Sequence, residues 1–387
     1  MKLFSFHILP LFVAAVFFLS CEKSDDCEDK EKSKSVFVYM VADNDLDYYG
    51  VENIIDMQKG MPENVEGRLI VYLDRAKNGN PAHPCLYEIR HDTAEYITSK
   101  IICVYPECNS CTVECFEKVL GDAELYCRDA NTEIKRLVFW SHGTGWLPSK
   151  ALQTRVKSFG LDQSNDETGD ELDIMLLSEA LEDRHFEYIV MDACFMGGIE
   201  TAYQLRNIAD YLILSPSEIL SKGFPYREIT AFLVDNQNKA RQLCTAFYDF
   251  YSVRQNAFQS ATITLVETKH LGKLAETMSY FYKNTCSVIP TDSVLEHIPQ
   301  YDRTNSFIYF DFVGYINSCC RDSALKFEII NAYDSVVRQY CRTDKMFSML
   351  DLTITNGLSI YIPNNYCQLS IYEDYKKLDW AIAVAAF

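Results

Sequence analysis

Short apolar runs alternate with amphipathic stretches along most of this chain. Residues 36–41, 68–73, 136–140, 187–191, 211–215 and 261–266 are rich in Val, Ile, Leu, Tyr and Met. Runs of this length with little polar alternation fit strands buried on both faces of a sheet. The segments 85–90, 94–104 and 357–362 have a weaker strand pattern. Between the runs, residues 47–59, 111–129, 172–184, 198–207, 238–254, 271–284 and 324–340 carry apolar positions at helical spacing. Alternating strands and helices predict an α/β layered fold with a mostly parallel central sheet flanked by helices. No internal repeat and no Pro/Gly/Ser linker divides the chain, so one domain over 35–387, C-terminal extension included, is expected.

Two of the runs end on residues with chemistry. Leu137-Val138-Phe139-Trp140 leads into Ser141-His142-Gly143, and Tyr188-Ile189-Val190-Met191 leads into Asp192-Ala193-Cys194. A crossover helix between two such strands makes them parallel, with their carboxyl ends on one edge. Ligands bind at that edge in open α/β sheets. A histidine and a cysteine meeting there define a Cys–His nucleophilic site, with Cys194 as nucleophile and His142 as proton carrier. Asp192 lies two residues before Cys194, so on a strand both face the same side. A carboxylate there either attracts a cationic substrate side chain or serves only the backbone N–H groups around it.

The paired motifs resemble those of the clostripain-like cysteine peptidases, which share the caspase–gingipain–legumain fold. The likeness extends to Val38-Tyr39-Met40-Val41-Ala42-Asp43-Asn44-Asp45-Leu46, to Val71-Tyr72-Leu73-Asp74-Arg75, and to Ser215-Pro216-Ser217-Glu218. Gly223-Phe224-Pro225-Tyr226 and Gly357-Leu358-Ser359-Ile360-Tyr361-Ile362-Pro363 complete the ordered set. The resemblance implies a caspase-like layered sandwich and cleavage after Arg or Lys, with Asp192 at the base of the S1 pocket. Glu218 is then a second acid or a rim residue, and Ser215 and Ser217 are candidates to bind the substrate backbone. Gly143 and Cys194 are placed to supply the oxyanion-hole N–H groups. Family members are activated by cuts in loops after the histidine, which marks Lys150, Arg155 and Lys157 in the polar stretch 147–170 as possible self-cleavage points. A catalytically silent, peptide-binding relative is the alternative.

Charge and composition narrow the setting. The chain has 387 residues, with 36 basic and 55 acidic side chains and a net charge of −19. That balance argues against nucleic acid as a partner. Peptide or protein substrates bearing Arg or Lys are expected instead, and a monomer suffices for them. At the N-terminus, Met1-Lys2 precedes the uncharged, mostly apolar stretch 3–19 and then Ser20-Cys21. This reads as a lipoprotein signal peptide over 1–20 with lipid on Cys21, or as an uncleaved anchor helix. Residues 21–34 form a charged tether. The implied product is an exported bacterial lipoprotein of the outer membrane or cell surface, attached to the membrane through that lipid.

Fifteen cysteines need an account. Cys103, Cys108, Cys111, Cys115 and Cys127 cluster, and in an exported chain they read as local disulfides or packed thiols rather than as a metal site. The reaction needs no cofactor. Some members of the resembled family depend on calcium, so Asp43-Asn44-Asp45-Leu46-Asp47 is read either as a set of cation ligands or as a helix cap.

Overall fold

Strand β1, Ser33–Ala42, shows how the sequence pattern builds the molecule. Phe37, Tyr39 and Val41 enter one hydrophobic core, and Val36, Val38 and Met40 enter a second on the other sheet face. A strand apolar at every position is thus required by two cores rather than one. The computed structural model describes residues 32–76, 83–147, 159–160, 162, 172–285, 289–304, 306–367 and 369–385. Cys21 with the signal-like segment, and Lys150, Arg155 and Lys157, lie outside these residues. Ser33 and Lys34, expected in the tether, already belong to β1, and Lys34 pairs with Glu187.

After β1 come helix α1 (Asp47–Gly60), β2 (Leu69–Arg75), β3 (Cys85–Glu88), β4 (Lys100–Val104) and α2 (Val113–Asp129). Then follow β5 (Thr132–Trp140), α3 (Ile174–Ala180), β6 (Phe186–Asp192), α4 (Ile199–Gln204) and β7 (Ala209–Leu214). Helices α5 (Tyr226–Leu233) and α6 (Ala240–Ser252), strand β8 (Thr262–Glu267) and helix α7 (Leu271–Asn284) lead to the short β9 (Phe310–Asp311) and to β10 (Val337–Arg342). Among the described residues the main sheet runs β10-β8-β7-β6-β5-β1-β2-β3-β4. Its centre, β7 through β2, is parallel, and both margins are antiparallel. Helices α2, α3, α4 and α7 bury apolar faces in one core, and α1, α5 and α6 in the other. The layered α/β sandwich expected from the alternation is present, and all of it lies in one unit, Ser33–Phe387. Among the described residues no helix is long and apolar enough to cross a membrane.

Several boundaries differ from the sequence pattern. The expected helix 324–340 divides into helix Ser323–Val336 and β10, because Val337–Arg342 pairs antiparallel with β8 and closes that sheet edge. Residues 94–99 do not form strand: the buried Gln58 carbonyl accepts from Thr98 N, Ser99 N and Ser99 Oγ, replacing ladder bonds. The stretch 172–184 is helical only after the Asp173 cap, whose carboxylate accepts from Met175 N, and only as far as Ala180. Of 357–362, only Ser359–Ile360 is paired, with β9.

Arg136 fastens the end of the central strands away from the ligand edge. Its side chain is fully buried, bonds Glu187 at 2.9 Å, and donates to the carbonyls of Leu233, Asp235 and Gln237 just beyond α5. It therefore satisfies helix-end carbonyls that nothing else in the sheet reaches. Replacing Arg136 by Met removes four acceptors' partner at once. The expected loss is about 3–5 kcal/mol, the range for breaking a buried ion pair. It is read as a lower urea midpoint, and an unchanged midpoint would contradict this role.

Candidate active site

The parallel register brings the chemistry together. Met40 pairs with Trp140 across β1 and β5, and Trp140 pairs with Asp192 across β5 and β6. Ser141 N still reaches Asp192 O at 3.4 Å. Continued two residues further, the same alignment sets His142 level with Cys194, above the sheet's carboxyl edge. Both line one cavity of about 660 Å³.

His142 is oriented by Asp45, which leaves β1 in the acidic turn. Nε2 lies 2.6 Å from Asp45 Oδ1. A carboxylate accepts and does not donate, so Nε2 carries the proton and Nδ1 is left to take or give one. Asp45 was legible in the sequence only as part of the acidic turn, as a cation ligand or cap. Its neighbours have other tasks. Asn44 Oδ1 accepts from Leu46 N, and Asp47 holds Arg75 through paired bonds of 2.8 and 2.6 Å.

Cys194 is half-buried, and its sulfur faces the backbone of Ile219. The Ile219 N–H donates to Sγ at 3.2 Å, and Sγ lies 3.6 Å from Ile219 O. Among the described residues no hydrogen bond joins the thiol to His142. Burial pushes the thiol up to about 12, and the Glu218 and Asp192 carboxylates add to the rise. The Ile219 N–H and the Arg303 guanidinium oppose it. At rest the Cys194 side chain is therefore a neutral thiol. Phe195, next in the chain, has φ +59°. Such a conformation costs on the order of 1–3 kcal/mol in a non-glycine residue. It is held by Phe195 N donating to Ser217 O and by the Phe195 ring stacked 4.4 Å from Tyr309.

Gly143 must be glycine here. A Cβ would stand 2.8 Å from Cys194 O and 2.9 Å from Ala193 Cβ. Among the described residues neither the Gly143 nor the Cys194 backbone N–H is engaged in a hydrogen bond, so both remain open to an oxyanion.

Asp192 lies in the wall of the same cavity and is 4% exposed. Oδ2 accepts from Phe224 N at 3.0 Å and from Tyr226 Oη at 2.9 Å. Oδ1 has no hydrogen bond among the described residues. Burial raises the carboxyl from 3.8 to about 7, against the lowering by Phe224 N–H and Tyr226 O–H. Gly223, φ +68°, clears the approach: a Cβ there would fall 2.6 Å from Asp192 Oδ2.

Glu218 also lines the cavity, but it is paired. Arg303 grips it through Nε at 2.9 Å and Nη2 at 3.1 Å while lying 4.5 Å above the Phe347 ring. Its charge is matched within the chain, which a second acid waiting for substrate would not be. Ser215 and Ser217 do not line the cavity. Their hydroxyls are buried, Ser215 Oγ on Thr262 Oγ1 and Ser217 O, and Ser217 Oγ on Tyr301 O. Their role is structural: Ser215 O and Ser217 O accept from Gly197 N and Phe195 N and so hold the turn after the nucleophile. Arg303, Ile219 and Phe347 carry no motif in the sequence, and Tyr226 ends the Gly223–Tyr226 motif with no sign there that it meets Asp192; only the fold brings them to the site.

The clostripain family model, that of the C11 peptidases, matches residues 38–386. The chain belongs to the clostripain family of cysteine peptidases. Clostripain of Hathewaya histolytica is 25% identical over 226 residues, 52% of this chain and 42% of clostripain, so the match spans less than half of that relative's length. An inactive zymogen C11 protease from Parabacteroides distasonis superposes with TM-score 0.76 at 25% identity, covering 91% of this chain and 98% of that one. A secreted C11 cysteine protease from Bacteroides thetaiotaomicron, solved with an irreversible peptide inhibitor, gives TM-score 0.76 at 27% identity over 91% and 99%.

The buried Asp192 carries a stability signature. Its folded carboxyl is raised above the unfolded value of 3.8, so the fold holds this proton more tightly than the unfolded chain does. That contribution is full below the unfolded value and is lost as pH rises through about 7. Asp192→Asn should therefore raise Tm at pH 8 and leave it nearly unchanged at pH 4, measured by calorimetry. A lower Tm at pH 8 would contradict the burial argument.

Proposed function

We propose that the chain is an exported cysteine endopeptidase that cleaves after Arg or Lys. The observation that carries this reading is the buried Asp192 carboxylate in the cavity wall beside the nucleophile, with one oxygen uncommitted. A guanidinium or ammonium entering over Gly223 meets that oxygen. Its charge favours the ionised carboxylate that burial disfavours. Arg303 already neutralises Glu218, so Asp192 is the acid that selects the substrate and Glu218 lines the rim.

Seating that side chain places the scissile carbonyl beside Cys194. Proton transfer from the thiol to His142 Nδ1 accompanies attack of Sγ on the carbonyl carbon, and the oxyanion is met by the N–H groups of Gly143 and Cys194. Collapse of the tetrahedral species breaks the C–N bond. The imidazolium returns the proton to the leaving amine, and a thioester remains. Water, deprotonated by the same histidine, hydrolyses it. Activation on binding is consistent with a thiol that rests neutral and apart from the imidazole. Asp45 holds the ring with Nδ1 left to take and return the proton.

The lipoprotein-like Leu19-Ser20-Cys21 supports export with a lipid anchor on Cys21. Lys150, Arg155 and Lys157 match the proposed preference, which supports self-cleavage between His142 and α3. The acidic turn gives calcium no clear set of ligands, since Asp45 and Asp47 are engaged with His142 and Arg75.

Fluorogenic peptides ending in Arg, Lys, Asp or Leu, incubated with the protein and with Cys194→Ala, test the reading. Hydrolysis is expected after Arg and Lys only, and none by the variant. Asp192→Asn should lower kcat/KM for basic substrates about 100-fold, as for an unpaired buried charge. For those substrates kcat/KM should rise with pH through about 7 as Asp192 ionises. Hydrolysis after Asp or Leu would overturn the pocket assignment. Intact mass during the incubation reports self-cleavage; wild type inert even after trimming would favour the silent, peptide-binding reading.

Asp45 acts through His142. Asp45→Asn should lower kcat about 5-fold with KM little changed, in keeping with an ion pair open to solvent. An equal fall in an inactive control property such as Tm would assign Asp45 to stability instead.

A further inference from the structure

We propose that Cys108 and Cys115 form a disulfide that fastens the loop behind the catalytic histidine. As thiols their sulfurs lie 2.8 Å apart, and Tyr72 Oη touches both at 3.8 Å. The other clustered cysteines are placed differently. Cys127 is buried near the C-terminal end of α2, Cys103 is turned toward the Val104 carbonyl, and Cys111 packs toward Gly160.

Local chemistry favours reaction at this pair. Cys115 is the third residue of α2, where helix N–H groups favour an anion, and its backbone N donates to the Thr112 cap. The hydrogen bond from Cys108 lowers the Cys115 thiol to about 7 and raises Cys108. Cys108 is the more exposed of the two and meets an incoming oxidant first. The oxidant is a small disulfide or a disulfide-bearing oxidoreductase. Cys108 passes its thiol proton to the Cys115 sulfur 2.8 Å away, and its thiolate attacks one of the oxidant's sulfurs, forming a mixed disulfide and releasing one thiolate; Cys115 then loses the proton to solvent or to that thiolate. The Cys115 thiolate then attacks Cys108 Sγ and expels the second. Two thiol protons leave to solvent or to the departing thiolates, and the oxidant's disulfide becomes two thiols.

The bond would matter because of what the enclosed loop holds. Ser110, between the two cysteines, is gripped by four contacts. Its carbonyl accepts from Tyr39 Oη, its hydroxyl meets Tyr72 Oη and donates to Asp74, and its N–H donates to Asp162 at 2.9 Å. Near Asp162 in the chain, Gly160 N donates to His142 O at 3.0 Å, and Gly143 bridges Phe159. Any side chain at Gly160 would stand 2.8 Å from Cys111 Sγ. The loop therefore backs the segment that pairs with His142-Gly143, and closing it removes freedom from both.

The test uses the full chain incubated with oxidised glutathione, alkylated and digested with a Glu-specific protease. Cuts after Glu107 and Glu114 place Cys108 and Cys115 on different peptides. A cross-linked pair lighter by two hydrogens is expected, retained in Cys111→Ser and lost in Cys108→Ser. Full alkylation of both cysteines, or a cross-link surviving in Cys108→Ser, would overturn the assignment. Hydrogen exchange separates the mechanical claim. The amides of Phe159, Gly160 and Asp162 should exchange several-fold more slowly in the oxidised wild type than in the reduced protein, and not in Cys115→Ser. Equal exchange in the two redox states would overturn the link to His142. Neither readout requires peptidase activity, so failure here is distinguishable from failure of the proposed function.

Discussion

The molecule depends on the parallel alignment of β5 with β6, Trp140 beside Asp192. Hydrogen bonds fix which residues are level across the two strands, and the residues just past the paired region inherit that level. His142 and Cys194, fifty-two positions apart, need no contact of their own to be placed over one cavity. A slip of one residue along β6 would turn Asp192 and Cys194 to the face away from His142. Two cores, one on each face, oppose that slip, since every residue of the central strands has an assigned side.

Much of this was legible before any coordinates. Uninterrupted apolar runs identify the buried strands, because the only place for such a run in a folded chain is between two layers. Strand ends identify the edge, and residue type at the edge makes His142, Asp192 and Cys194 the candidates for its chemistry. What stayed hidden depends on long-range neighbours. Ser215 and Ser217 look available in sequence, yet Thr262 and Tyr301 claim their hydroxyls. Glu218 looks like a free acid until Arg303 arrives from eighty-five residues away. Asp45 stands in a turn that local patterning reads as a cap, and only the β1–β5 pairing shows that it faces His142. The break of the expected helix at Val337 has the same origin: edge pairing with β8 outweighs local helical spacing.

The site is built from groups held in their less reactive forms. Burial keeps Cys194 a thiol and favours the neutral form of Asp192, while Arg303 ties down Glu218. Each is costly to change while the cavity holds no substrate, and the cation and carbonyl of the proposed substrate make each change cheaper. The same enclosure that suppresses the resting reactivity thereby sharpens the response to a fitting substrate. The strained Phe195 turns the chain directly after Cys194, whose carbonyl lies against Gly143.

Gly223 gives the pocket an evolutionary asymmetry. The space over Asp192 exists because one residue has no Cβ and adopts a left-handed conformation that other residues resist. If Asp192 selects the substrate as proposed, a lineage drifting toward a different P1 preference can exchange the carboxylate at 192 in a single step and keep the chamber. Exchange at 223 instead fills the chamber and strains its wall together, so that route is closed whatever stands at 192. Divergence of specificity on this scaffold should accordingly be written at position 192 and in the loop from 218 to 221, around a glycine that stays fixed.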